Sequence, residues 1–232
     1  ATGKRIARLA ADHLKKVSLE LGGKDPVIVC DDAEIEVAAK GVAWGGFLNA
    51  GQVCTSLERV YVFDALADRF TEALLEESKQ IVLGDPMNSA TDVGPMASKT
   101  QWMKTQEKVK LAQSQGARLL AGGDRPKHLD RGYFYAPTIF DQVTAEMEIM
   151  TQEAFSPVLP IQRVRSLAEA IEQANQTEYG LGACIFTQDL NRALTAAEAI
   201  KSGTVCINNP LMENIAAPFG GMKQSGVGRE HG

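Results

Sequence analysis

Cys54 stands in the stretch NAGQVCTSLERV, among Asn49, Gly51, Gln52, Thr55 and Ser56. The other three cysteines, Cys30 in PVIVC, Cys184 in GACIF and Cys206 in TVCIN, lie among β-branched and aromatic residues. That is the setting of a thiol used as a small buried hydrophobe. A thiol in a small polar turn suits other chemistry. A nucleophilic cysteine must reach solvent, and its thiolate must be favoured by a base, a helix N-terminus or converging N–H groups. Gly51 lets the backbone bend close to a substrate, and the neighbouring amides and hydroxyls add polar contacts. Packing at a helix-to-strand turn is the other use these residues allow.

The three histidines are poor partners for such a thiol. His13 lies among charged helical residues, His128 in a basic excursion and His231 one residue from the chain end, so each reads as a surface residue. Two carboxylates are better placed. Glu20, in SLELGGKDP, sits between leucines and beside a Gly-Gly turn. Desolvation there would raise its pKa toward values useful for a general base, whereas a Glu at a helix end would face water. Glu153, in TQEAFSPV, could bind a pair of hydroxyls or cap a turn. The segment APFGGMKQSGVGREHG is glycine-rich but lacks both phosphate-loop patterns. It reads as a place of close backbone approach, in a substrate channel or at a subunit contact.

Composition narrows the class. The chain has 232 residues, 44% hydrophobic and 23% charged, with a formal net charge of -5, the profile of an ordinary globular protein. No Lys/Arg block exceeds a pair, so nucleic acid is not an expected partner. No apolar run approaches the roughly 18 residues that span a bilayer, and the N-terminus lacks a secretory pattern. A reduced, cytoplasmic protein without a disulfide framework is expected. No C-x-x-C spacing occurs and no metal site is expected. The chain starts without Met and stops in a glycine-rich loop, which reads as a piece of a longer protein.

The elements that would position these residues alternate. Helical periodicity covers residues 4–17, and PVIVC reads as a buried strand. Asp31 and Asp32 are expected to cap the helix AEIEVAAKGVAWGGF. Strands are expected at RVYVF, 117–121, YFYAPTIFDQV, PVLPIQRV, LGACIFT and GTVCINN, with helices at 65–80, 98–115, 166–176 and 189–201. Strands alternating with helices of about ten residues or more indicate an α/β fold with a largely parallel open sheet flanked by helices. The first helix has no strand before it, so residues 1–22 read as the tail of another domain and 23–232 as the domain carrying Cys54.

Taken together, LELGGKDPVIV, GQVC with its Cys 34 residues beyond Glu20, EAFSPV, NQTEYGLGA and PFGGMKQSGVGRE resemble the aldehyde dehydrogenase superfamily in order and spacing. The likeness runs over the whole chain and is greatest to the NAD(P)-dependent, non-acylating members. It implies that Cys54 attacks an aldehyde to give a thiohemiacetal and, after hydride loss, a thioester, with its own N–H in the oxyanion hole. Glu20 would be the general base. Glu153 would hold the nicotinamide ribose hydroxyls, with Phe155, Leu21 and Gly3 as further contacts to NAD or NADP. The resemblance also implies a remnant of a Rossmann-like cofactor domain in residues 1–22, a homodimer or homotetramer at full length, and a missing half that holds most of the dinucleotide site. The isolated chain is therefore expected to be a poor dehydrogenase. Pro210, Leu211, Met212 and Ile215 would form an apolar substrate mouth, with Glu213 available to a cationic tail. Ala154 and Ser156 depart from the family's usual Ile or Val and Gly. An acyl-CoA-forming relative would lack the base at Glu20, and a non-catalytic relative would not need all three of Cys54, Glu20 and Glu153.

Overall fold

A computed structural model describes residues 2–232. Helix α1, Thr2–Asp12, stops short of the expected 4–17. Leu14 takes a left-handed φ of 52°, and the N–H groups of His13, Leu14 and Lys15 turn back onto the carbonyls of Ala10 and Ala11, closing the helix end. Its apolar stripe is not core: Ile6, Leu9 and the following Leu14 are exposed. After a two-residue strand, β1 (Leu19–Glu20), comes β2 (Asp25–Val29), buried throughout.

Helix α2 spans Ile35–Phe47, and Glu34 before it makes no side-chain cap. Asp31 and Asp32 do not cap this helix as expected. Asp32 accepts from Thr187 Oγ1 at 2.9 Å and Gln188 N at 3.1 Å, and Arg192 pairs with Asp31. The two acids tie distant segments together because stronger partners than a first-turn amide lie within reach.

Strand β3 (Leu57–Phe63) leads directly into α3 (Asp64–Gln80). Ser98 caps α4 (Lys99–Ser114) by accepting from Gln101 N. Then follow β4 (Arg118–Ala121), β5 (Thr138–Asp141) and the short α5 (Glu148–Thr151). The expected strand at 133–143 is thus reduced to its second half. Phe134 O and Ala136 N bond to Trp102 and Asp124 instead of a neighbouring strand, and Pro137 has no N–H to give. The chain continues with β6 (Val158–Val164), α6 (Leu167–Asn175) capped by Ser166, β7 (Gly182–Phe186), α7 (Leu190–Ala199) capped by Asp189, and β8 (Thr204–Ile207). The last strand is β9 (Gly226–Val227).

Seven strands form one sheet in the order β4-β5-β6-β3-β2-β7-β8. Every pairing in it is parallel except β4 with β5. Helices cover both faces, which is why the central strands read as unbroken apolar runs. Val27, Val29, Val60 and Val62 face Ala39, Val42, Phe70 and Leu74 of α2 and α3. Ile28, Tyr61, Phe140 and Ile185 face the layer containing Val109, Ala170 and Ala196. The expected α/β fold with a largely parallel sheet is the observed one. Since the strands run parallel, the segments entering β2, β3, β6, β7 and β8 share one edge of the sheet. A separate antiparallel pair joins β1 to β9, with Glu20 opposite Gly226.

Arg59 holds that edge together. It is 2% exposed. Its Nε donates to Lys24 O at 2.8 Å, Nη1 to Gln173 O at 3.2 Å and Nη2 to Ala174 O at 2.9 Å, which fastens β3 to the start of β2 and to the last turn of α6. Arg59→Leu would strip these carbonyls of their donors. The expected loss is about 3–5 kcal/mol of unfolding free energy, measurable by urea titration. A loss below about 1 kcal/mol would show that water replaces the guanidinium there.

Candidate active site

The turn before β3 has an unusual backbone. Asn49, Ala50 and Gly51 take φ values of 51°, 56° and 69°, three left-handed residues in a row. Non-glycine residues resist that region because Cβ crowds the carbonyl, so the turn has to be held. Asn49 Nδ2 donates to Gln52 O and Gln52 Nε2 to Asn49 O, each at 3.0 Å. Gln52 Oε1 accepts from Ala97 N at 2.9 Å. At Gly51 a Cβ would collide with the Ser156 carbonyl, so only glycine fits. Ser56 Oγ closes the turn on Gly45 O at 3.1 Å. Asn, Gly and Gln in NAGQVC therefore shape the loop, and the loop carries Cys54 to the surface. Cys54 is exposed, whereas Cys30 and Cys184 are buried; all four cysteines are free thiols. Cys206, expected to be buried, is only partly so and lines the same cavity as Cys54.

Glu20 reaches the site on β1. Both its carboxylate oxygens are buried without a hydrogen-bond partner among the described residues. The glycine-rich segment makes this approach possible: a Cβ on Gly220 would come within 3.1 Å of Glu20 Oε1. Burial raises the Glu20 pKa from its ordinary value, and nearby Glu230 adds to the rise while Arg229 opposes it. The Cys54 thiol is also pushed up, first by desolvation and then by the negative charges of Asp25 and Glu20. The thiol and Glu20 are thus close enough to sense each other's charge.

Glu153 lies on the segment entering β6. Its Oε1 accepts from Gly23 N at 2.9 Å, and a Cβ on Gly22 would stand 2.5 Å from Oε2. Burial raises its pKa while the Gly23 bond works against the rise. Gly23 meets the thiol loop as well, since a Cβ there would strike the Cys54 carbonyl. Gly3 packs on Leu21, its absent Cβ only 2.7 Å from Leu21 Cδ1, and Leu21 N donates to Ser225 O at 3.0 Å. Phe155 is partly buried and left-handed, with φ 49°. The structure therefore brings Glu20, Leu21, Glu153 and the Cys54 loop to one edge of the sheet, with Gly3 behind Leu21.

A cavity of about 270 Å³ opens at Cys54. Leu57, Pro210, Leu211, Met212 and Phe219 give it apolar walls, and Glu213 stands in it. Ile215, expected at this mouth, is 80% exposed and outside the lining. Glu20 and Glu153 do not line the cavity either. Asp25 does line it; the expected strand PVIVC begins one residue later, and the residue carried no expected role. It is 1% exposed, Oδ1 has no hydrogen-bond partner among the described residues, and burial holds its pKa well up. A charged residue directly before an apolar strand run was the available signal. Among the described residues no cluster has the makings of a metal site, and no helix is long and apolar enough to cross a membrane.

The fold is an α/β domain with a mostly parallel seven-stranded sheet, and an exposed thiol and desolvated acids gather at one of its edges. Residues 1–232 match the aldehyde dehydrogenase family, and the chain belongs to that family. A betaine aldehyde dehydrogenase of Brucella anthropi is 45% identical over 233 residues, covering all of this chain and 48% of its own length. A chloroplastic aminoaldehyde dehydrogenase of Arabidopsis thaliana is 43% identical, with 46% of its length covered. Among solved structures, an NAD-dependent aldehyde dehydrogenase from Sinorhizobium meliloti superposes with TM-score 0.96 at 40% identity, over 99% of this chain and 45% of that one. Betaine aldehyde dehydrogenase from Staphylococcus aureus in complex with NAD+ gives 0.96 at 38%, over 100% and 46%. The chain spans about half the length of the relatives it matches.

The charges make a test with a definite sign. Negative Glu20 disfavours the Cys54 thiolate, so Glu20→Gln should lower the thiol pKa and speed iodoacetamide labelling of Cys54 at pH 8 by about two- to threefold. Cys30 and Cys184 should stay unlabelled. Slower labelling in Glu20→Gln would contradict the charge effect.

Proposed function

We propose that the protein carrying this chain oxidises an aldehyde to a carboxylic acid with NAD or NADP, and that Cys54 is the nucleophile. One observation carries the reading: the exposed thiol feels the charge of a carboxylate, Glu20, whose two oxygens are buried with no hydrogen-bond partner among the described residues. In a domain of this family such a group is a base with a proton to take. Residues 1–22 are read as the tail of the cofactor domain and 23–232 as the catalytic domain; the exposed apolar stripe of α1 supports that division.

The cofactor-binding residues fit the group that the family implies. Glu153 uses one oxygen on Gly23 N and keeps the other beside Gly22, where no side chain intrudes, so it can accept from ribose hydroxyls. Leu21, Phe155 and Gly3 would bound the nicotinamide end. When bound, the oxidised nicotinamide supplies the hydride acceptor. The protein's own part begins when Cys54 Sγ adds to the carbonyl carbon and its proton passes to Glu20. That transfer also neutralises Glu20, removing a charge that opposes the thiolate. The Cys54 N–H would serve as an oxyanion donor where the substrate oxygen gains negative charge. Glu20 then gives that proton up to solvent. In the second half it takes a proton from the water that attacks the Cys54 thioester, and returns it to the departing thiolate as the carboxylic acid leaves. A base with a raised pKa is better matched to that proton near neutral pH.

The relatives named for betaine aldehyde and aminoaldehydes suggest a substrate with a cationic nitrogen. Glu213 in the cavity supports that choice, because a cation in an apolar cavity is favoured by a carboxylate nearby. The rest of the relatives' length corresponds to the remaining cofactor site, so dehydrogenase activity and a homodimer or homotetramer are expected of a full-length protein.

Ester hydrolysis tests the thiol and base without a cofactor. The chain should turn over an activated acetate ester, Cys54→Ala should lose the activity by about 100-fold or more, and Cys30→Ala should keep it. The rate should fall on the acid side as Glu20 becomes protonated, at a pH shifted upward from that of a free glutamate, and this limb should vanish in Glu20→Gln. Equal loss in both cysteine variants would sink the assignment.

A further inference from the structure

The segment bearing Glu153 is held by another carboxylate that the mechanism above leaves unused. Glu58, the second residue of β3, is 2% exposed. Its Oε2 accepts from Ala154 N at 2.7 Å and its Oε1 from Phe155 N at 2.7 Å. Lys24, 1% exposed, donates to the same Oε2 at 2.7 Å. Two consecutive backbone amides thus converge on one carboxylate, whose charge is balanced by the lysine next to Gly23. Gly23 in turn donates to Glu153. The loop therefore closes on itself: Glu153 to Gly23, Lys24 to Glu58, and Glu58 back to the two residues after Glu153.

The backbone here needs such support. Phe155 holds a left-handed φ of 49°, a conformation that disfavours a bulky residue unless its surroundings impose it. Glu58 holds its N–H side. On the carbonyl side, Gln101 Nε2 donates to Ala154 O at 3.0 Å and to Phe155 O at 2.9 Å. Glu58 lines neither the Cys54 cavity nor any contact with Glu20. Its two amide partners lie on the segment that aims Glu153, and its lysine partner follows Gly23, which donates to Glu153.

We propose that Glu58, charge-balanced by Lys24, is a positioning residue for the cofactor: it locks residues 153–155 so that Glu153 and Phe155 present themselves to the nicotinamide ribose. The inference rests on the reading of Glu153 given above. Charge is central to it, because a carboxylate can accept from both amides and the ammonium at once, whereas a glutamine there turns one of its two acceptor positions into a donor.

The test uses the full-length dehydrogenase that carries this chain. Glu58→Gln should raise the KM for NAD by about tenfold or more while kcat falls by less than about threefold. Ester hydrolysis at Cys54 without cofactor should stay within about twofold. A purely structural residue would instead lower both activities with the folded fraction. Glu58→Gln leaves Lys24 buried beside a neutral partner, so Lys24→Met/Glu58→Gln, which removes both charges, is the variant to use if the single change fails to fold. It should show the same rise in KM. A folded variant of either kind with an unchanged KM for NAD overturns the proposal. Glu153→Gln separates the two readings. If it raises the KM while the Glu58 variants do not, the role of Glu58 alone is wrong. If Glu153→Gln has no effect on KM, the Glu153 reading fails and the Glu58 role falls with it. Where both act, combining Glu58→Gln with Glu153→Gln should raise KM by clearly less than the product of the single effects.

Discussion

Ions out of water have to be answered at every lone pair and every proton, and this demand organises the functional edge of the sheet. Lys24, Glu58 and Arg59 are all buried where β2 and β3 begin. Glu58 takes the lysine and two amides; Arg59 takes carbonyls from β2 and from the end of α6. None of these partners is optional, since an unanswered charge at this depth costs more than most single contacts return. The segments entering β2, β3 and β6 are consequently fixed relative to one another by polar bonds, in a fold whose layers are otherwise held by apolar packing.

The location of the site follows from the same chemistry. In open parallel sheets ligands usually gather at the carboxyl ends of the strands. Here Glu20, Asp25, Cys54, Glu58 and Glu153 all lie at or before the amino ends. The segments there present free N–H groups, and Gly23, Ala154 and Phe155 direct theirs at carboxylates. Acids are therefore welcome at this edge. Two of them, Glu20 and Asp25, keep oxygens that no described residue satisfies. Polar groups left in that state are an uncommon cost, and a reactive site is where such a cost has a use.

Much of the fold was legible because both faces of the sheet are covered. Continuous apolar runs such as PVIVC and GACIF can only be central strands when amphipathic helices alternate with them. Cys54, Glu20 and Glu153 were visible for the opposite reason, as polar residues in glycine-rich surroundings. What could not be read depended on distant partners. Asp31 and Asp32 look like caps until Thr187 and Arg192 arrive from more than 150 residues away. The 133–137 stretch alternates like a strand but is claimed by Trp102 and Asp124. Glu58 reads as an ordinary polar position in LERVYVF, and nothing local reveals that its partners lie 34 residues before it and nearly 100 after. Periodicity reports a residue's own element; it carries no word about which loop folds back on top of it.

The ribbon of β1 and β9 has a consequence for the order in which the molecule becomes itself. Leu19 and Glu20 pair with residues about 200 positions later. Closing a loop of that length costs about 5 kcal/mol of chain entropy by the logarithmic rule, more than a two-residue ladder can return. The pairing can therefore persist only once the seven-stranded sheet has already drawn the two ends together. On the ribosome, the thiol of Cys54 leaves the exit tunnel long before the strand opposite Glu20 has been made. A nascent chain thus carries its sulfur before the strand that fixes Glu20 exists, and this corner of the edge is completed only when Gly226 and Val227 arrive.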